Sequence, residues 1–103
     1  MIFVDANYFL RAMVQPQTTK DRVMGHQAAE LFNSVQQGER KITTSEATVA
    51  EVVFILTSRR HYGLSRADGV SRLKPILALR HCRMPAKAVS LRALDLFASS
   101  VKI

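Results

Sequence analysis

The sequence holds one cysteine, four glycines, three prolines and only 8 acidic residues in 103. A lone cysteine, Cys82, forms no internal disulfide, which points to a reducing, cytoplasmic compartment. The glycines are scattered, so there is no glycine-rich loop of the phosphate-cradling kind. No stretch approaches the roughly 18–20 apolar residues of a membrane span, and no membrane partner is expected. The apolar start, Met1 to Val4, is broken by Asp5 and has no cationic region before it, unlike a secretory signal. Repeats, linkers and low-complexity segments are absent as well.

What is present suits a folded domain. The chain is 48% hydrophobic and 22% charged, a balance that favours one folded domain, residues 1–103, over disorder. Lys and Arg number 15, giving a net charge of +7. Such an excess serves solubility, a polyanion such as RNA, or an acidic protein partner. The cations are spread along the chain from Arg11 to Arg83 and beyond, with no basic tail.

Hydropathy patterning predicts alternating elements. Met1 to Asp5 reads as a short buried strand, and Asn7 as the cap of a helix with Phe9, Leu10, Met13 and Val14 on its apolar side. Pro16 stops that helix. A second helix starts at Thr18 or Thr19, carries Val23, Ala28, Leu31, Phe32 and Val35, and ends at Gly38. Lys41 to Thr43 fits a second strand. The next helix, from Thr44 or Ser45 to about Arg60, is apolar nearly all round and is expected to be buried. Ser65 caps a further helix, in which Pro75 predicts a kink or a restart. Cys82 to Met84 fits an edge strand, 87–99 a last helix, and 101–103 the beginning of another strand. Strands separated by helices imply an α/β fold, a parallel sheet flanked by helices.

Two carboxylates stand out. In open parallel sheets ligands collect at the carboxyl ends of the strands, where Asp5 falls. Asp5 also suits a helix cap, but Asn7 is available for that task. Glu51 is the only charged residue between Ala47 and Thr57. A buried carboxylate needs a cationic partner or a metal, and the pattern leaves both readings open. Glu46, Asp21 and Asp68 sit in first turns, where negative charge suits the helix dipole. Asp95 has Arg92 three residues before it, an ordinary helix-surface pair. His26, His61 and His81 show no metal-ligand spacing.

The segments IFVDANYFLR, ITTSEATVAEVVFILTSRRHYGLSR and AVSLRALDLFASSVKI, in this order, resemble PIN-domain proteins, most closely the VapC-type toxin ribonucleases. The resemblance spans essentially the whole chain. It implies a PIN-like parallel sheet with flanking helices and a metal-dependent endoribonuclease. In that reading Asp5 and Glu51 hold Mg²⁺ or Mn²⁺, cations that prefer oxygen ligands. Asn7 orients Asp5 or a water, and nearby cations hold the RNA backbone. The metal lowers the pKa of a water that attacks the phosphodiester. The resemblance also implies a cognate antitoxin protein and a homodimer.

The chain departs from the family at its end. The remaining acids of such proteins follow the last helix, whereas this sequence stops at Val101-Lys102-Ile103. The expectation is a PIN-like domain lacking its last strand, its last helix and its third and fourth carboxylates, with weak or absent activity. The alternative is a non-catalytic remnant that binds an antitoxin or RNA. A haloacid-dehalogenase-type phosphatase is disfavoured, because that chemistry wants D-x-D and this chain has Asp5-Ala6-Asn7.

Overall fold

The computed structural model describes residues 1–100 of the chain. Strand β1 (Ile2–Phe3) leads into helix α1 (Ala6–Met13), then α2 (Thr19–Gln36). Strand β2 (Ile42–Thr43) precedes α3 (Glu46–Thr57), α4 (Arg66–Leu77) and α5 (Lys87–Ser99). The predicted strand at 101–103 lies outside the described residues.

The expected α/β architecture is not what forms. Among the described residues the sheet has two strands of two residues each, and the rest is mainly helix. The predicted parallel pairing does occur, with Ile2 opposite Ile42 and Phe3 opposite Thr43. Val4 N–H donates to the Thr43 carbonyl at 2.9 Å. The buried Thr44 hydroxyl donates to the Val4 carbonyl at 2.9 Å, extending the link past the ladder. On the other side of β2 the predicted edge strand shrinks to one parallel bridge, Ile42 to Cys82.

The strands are short because turn and cap chemistry cuts them off. Asp5 and Ser45 begin helices directly after the pairs. Before β2, α2 ends in a Schellman turn: Gly38, at φ 81°, donates to the Val35 carbonyl, and Glu39 to that of Ser34. Glycine adopts that left-handed backbone without steric cost. Before Cys82, the Lys87 ammonium donates to the Leu79 and Cys82 carbonyls at 2.6 and 2.7 Å and holds the turn. So few ladder bonds leave most of the stabilisation to helix packing.

The core is accordingly helical. Phe9 is fully buried and stacks on Phe32 of α2, with ring centroids 5.5 Å apart. Val52 and Leu56 of α3 meet Leu73 and Leu77 of α4 in the same cluster, with Ile42 and Cys82. Two close approaches set the helix packing. A Cβ on Gly25 would lie 2.9 Å from the Arg11 carbonyl oxygen, so α2 crosses α1 where only glycine fits. Gly69 of α4 likewise lies against Thr57 of α3. Pro75 lies within the last turn of α4, which continues through it to Leu77 without a restart. Of the fifth helix only Ser90 and Leu94 are buried, and it is tied to α4 by Lys74–Asp95 at 2.6 Å and by Arg66 over the Phe97 ring. Asp95 thus pairs with Lys74 and not with the Arg92 on its own helix.

Candidate functional site

The parallel register aligns the carboxyl ends of β1 and β2. Each strand runs into a helix there: α1 after Asp5 and α3 after Ser45. The Thr44 hydroxyl bond to Val4 fastens these two strand ends together. Ligands collect at this end in open α/β sheets, but here it is the end of only two strands of two residues each.

Asp5 is exposed and is the N-cap of α1: its Oδ1 accepts from Tyr8 N–H at 2.9 Å. The expectation that Asn7 takes this cap is corrected, for Asn7 is the second residue of the helix. The reason is local. The cap residue must have extended backbone and lie three residues before the N–H it accepts, and Asp5 meets both conditions at ψ 174°. Capping uses one oxygen of Asp5 and leaves the other available.

Glu51 is also placed differently from expectation. It is exposed, not buried. Helix α3 is apolar around most of its circumference, but only Thr48, Val49, Val52, Val53 and Leu56 are buried. Ala47, Ala50, Glu51 and Phe54 form an open face, with Phe54 65% exposed. Composition marked α3 as buried, whereas the neighbours available, α1 and α4, cover only part of it. The argument that Glu51 needs a partner because it is buried therefore falls, and its role rests on position.

The three predicted residues do not share one hollow. Asp5 lines a groove of about 500 Å³ between β1 and α2, with Tyr8, Glu30, Glu39 and Arg40. Asn7 lines a smaller depression with Arg11, Asp21 and Tyr62. Glu51 lines neither. Nothing in the local sequence around Glu30 or Glu39 marks either as a companion of Asp5. Only the fold shows that they share a groove with Asp5.

Among the described residues no three of His, Cys, Asp or Glu stand together as a metal cage. Exposed carboxylates match the oxygen preference of Mg²⁺ or Mn²⁺ in kind, and Mg²⁺ is commonly held by one or two carboxylates with water completing its shell. The described residues thus offer separate exposed carboxylates and no site with three or four protein ligands. Cys82 is fully buried, and burial pushes its thiol pKa up against a smaller opposing pull from the Lys87 charge, so it is no nucleophile at neutral pH.

Compared with family models, curated proteins and solved structures, the chain matches none. No helix among the described residues is long and apolar enough to cross a membrane.

Proposed function

We propose that this chain acts on RNA as a metal-assisted endoribonuclease of the toxin type, with Asp5 and Glu51 as the carboxylates it contributes. The observation that supports this reading is Asp5 itself. It stands exposed at the carboxyl end of β1, beside the parallel strand end that opens into α3, the helix of Glu51. A Mg²⁺ or Mn²⁺ ion held there would activate a water and offset phosphate charge. The residues of the chain bind and orient. In this reading RNA phosphates pair with cations of the basic surface, which give the chain its net charge of +7. Asn7 has no part in this proposal, since it lines a different depression.

A second reading is favoured by the lack of any three-ligand group among the described residues. In that reading the chain binds RNA or an antitoxin protein without cleaving. One experiment separates the two. The purified protein is incubated with structured RNA, with and without Mn²⁺, beside Asp5→Asn and Glu51→Gln, and Mn²⁺ binding is followed by electron paramagnetic resonance. Cleavage that needs Mn²⁺ and is lost in both variants supports the nuclease. RNA binding without cleavage, unchanged by Mn²⁺ and by either substitution, leaves the binding role.

A further inference from the structure

The turn after α3 carries charge of one sign and an exposed aromatic residue. From Ser58 to Ala67 run three arginines and no acidic residue. Arg59 and Arg60 are exposed, and Tyr62, two residues further on, is 45% exposed. Backbone bonds fasten the turn on both sides of Tyr62. His61 and Gly63 donate to the Ser58 carbonyl at 3.0 and 2.8 Å, and Leu64 donates to that of Leu56 at 2.9 Å. Gly63 has φ 59°, the left-handed backbone that glycine adopts without steric cost.

This turn meets α1 and the connection to α2. Tyr62 lines a hollow of about 260 Å³ with Asn7, Arg11, Gln15, Gln17 and Asp21. Each of these groups has a counterpart on a nucleotide. Exposed aromatic rings stack on unpaired bases. Side-chain amides carry a donor and an acceptor together, the pattern that pairs with a base edge. Asp21 is half-buried and, when ionised, only accepts, so it suits a base that offers an exocyclic amino group. Arg11, and Arg59 and Arg60 in the turn before Tyr62, suit phosphates. The hollow is smaller than the roughly 300–1,000 Å³ that takes drug-sized ligands, the scale of one nucleotide and not of a partner helix.

We propose that this hollow is a subsite for one unpaired RNA base that bears an amino group. The base stacks on Tyr62 and donates to Asp21. Asn7, Gln15 and Gln17 supply the remaining bonds to base and sugar, and Arg59 and Arg60 hold neighbouring phosphates. The inference rests on the reading that the chain takes RNA, and it adds that the chain takes single strands and tells cytosine from uracil. Those two bases differ at one edge group, an amino donor on cytosine and a carbonyl acceptor on uracil.

The test is a fluorescence-anisotropy titration of the whole chain with short labelled strands of oligo-C and oligo-U, in the presence of a chelator so that no metal-dependent step takes part. Oligo-C is expected to bind several-fold more tightly than oligo-U. Tyr62→Ala is expected to lower the affinity for oligo-C at least about fivefold, the worth of one base–aromatic stack, while Tyr62→Phe keeps it. Asp21→Asn adds a donor that uracil can use and is expected to bring the two strands together in affinity. Arg59→Ala combined with Arg60→Ala is expected to weaken both strands and to flatten the salt dependence. The chain has two tyrosines and no tryptophan, so in a Tyr8→Phe background the emission of Tyr62 is read alone, and oligo-C should quench it. That readout decides the matter should Tyr62→Ala unfold by circular dichroism. If neither strand binds the wild type, the RNA reading falls and this inference falls with it. If both strands bind equally, folded Tyr62→Ala binds as the wild type does and Tyr62 is not quenched, the base subsite alone is overturned and the RNA reading stands. Tyr62 emission that responds to an acidic peptide and not to oligo-C assigns the turn to a protein partner and overturns the subsite as well.

Discussion

Asp5 is assigned two tasks, the cap of α1 and a carboxylate for a metal, and two substitutions separate them. Asp5→Ala removes the bond from Tyr8 N–H and the negative charge at the helix start. Loss of an N-cap costs about 1 kcal/mol. Loss of a charge beside the helix dipole costs roughly 0.3–1 kcal/mol more at low salt. Asp5→Asn keeps an oxygen that accepts from Tyr8 and loses only the charge. The expected stability losses are thus about 1–2 kcal/mol for Ala and at most ~1 kcal/mol for Asn. In a domain of this size each 1 kcal/mol lowers Tm by about 4–8 °C. Urea unfolding followed by far-UV circular dichroism measures both. Repeating it in high salt screens the dipole contribution and brings Asn close to wild type, while Ala keeps its deficit. Asn7→Ala, at a helical and uncapped position, is expected to stay within about 0.5 kcal/mol. Equal losses for Asp5→Asn and Asp5→Ala in high salt, or a loss confined to Asn7→Ala, would refute the capping geometry. If capping holds, any effect of Asp5→Asn on metal binding or RNA cleavage is chemical and not a consequence of unfolding.

Glu51→Gln is expected to leave stability within about 0.5 kcal/mol, because the side chain is exposed; a loss of several kcal/mol would mean that Glu51 has a buried partner. Phe9→Ala removes a fully buried ring stacked on Phe32 and is expected to cost about 3–5 kcal/mol, read from the urea midpoint. Gly25→Ala should destabilise, although alanine favours helices by up to ~1 kcal/mol, since its Cβ would meet the Arg11 carbonyl; a stabilised variant would contradict the α1–α2 crossing. Cys82 should react with a disulfide reagent only as fast as the protein unfolds, and rapid labelling of the native chain would contradict its burial. Its raised pKa means that the folded state holds the thiol proton longer than the unfolded state does. That contribution to stability is full below the unfolded thiol pKa and is lost as pH rises through the higher folded value, so urea midpoints should fall on the alkaline side.

Much of the chain's local structure was legible in the sequence, because it depends on neighbours a few residues apart. Ser65 caps α4 as its position predicts, and Thr18, one of the two candidates with Thr19, caps α2, each accepting from the N–H three residues on. Gly38 ends α2 because a left-handed residue was needed there. The parallel pairing of the first two extended segments followed from the helices between them. Asp5 and Asn7 both suit a cap by residue type, and only the extended backbone at Asp5 separates them.

The extent of the sheet, the exposed face of α3 and the company of Asp5 were decided only by tertiary structure. Strand length depends on where caps and turns cut in, and a β-branched stretch such as Ile42-Thr43 carries no record of how many residues will find partners. Burial of α3 depends on which helices arrive beside it, and α1 and α4 leave the side of Ala50, Glu51 and Phe54 open. Glu30 and Glu39 lie far from Asp5 along the chain and share its groove because α2 folds back beside β1. Patterning sets which residues prefer helix, cap or turn through contacts within one or two turns. Which surfaces close, and which charges share a groove, follows from packing between segments distant in sequence.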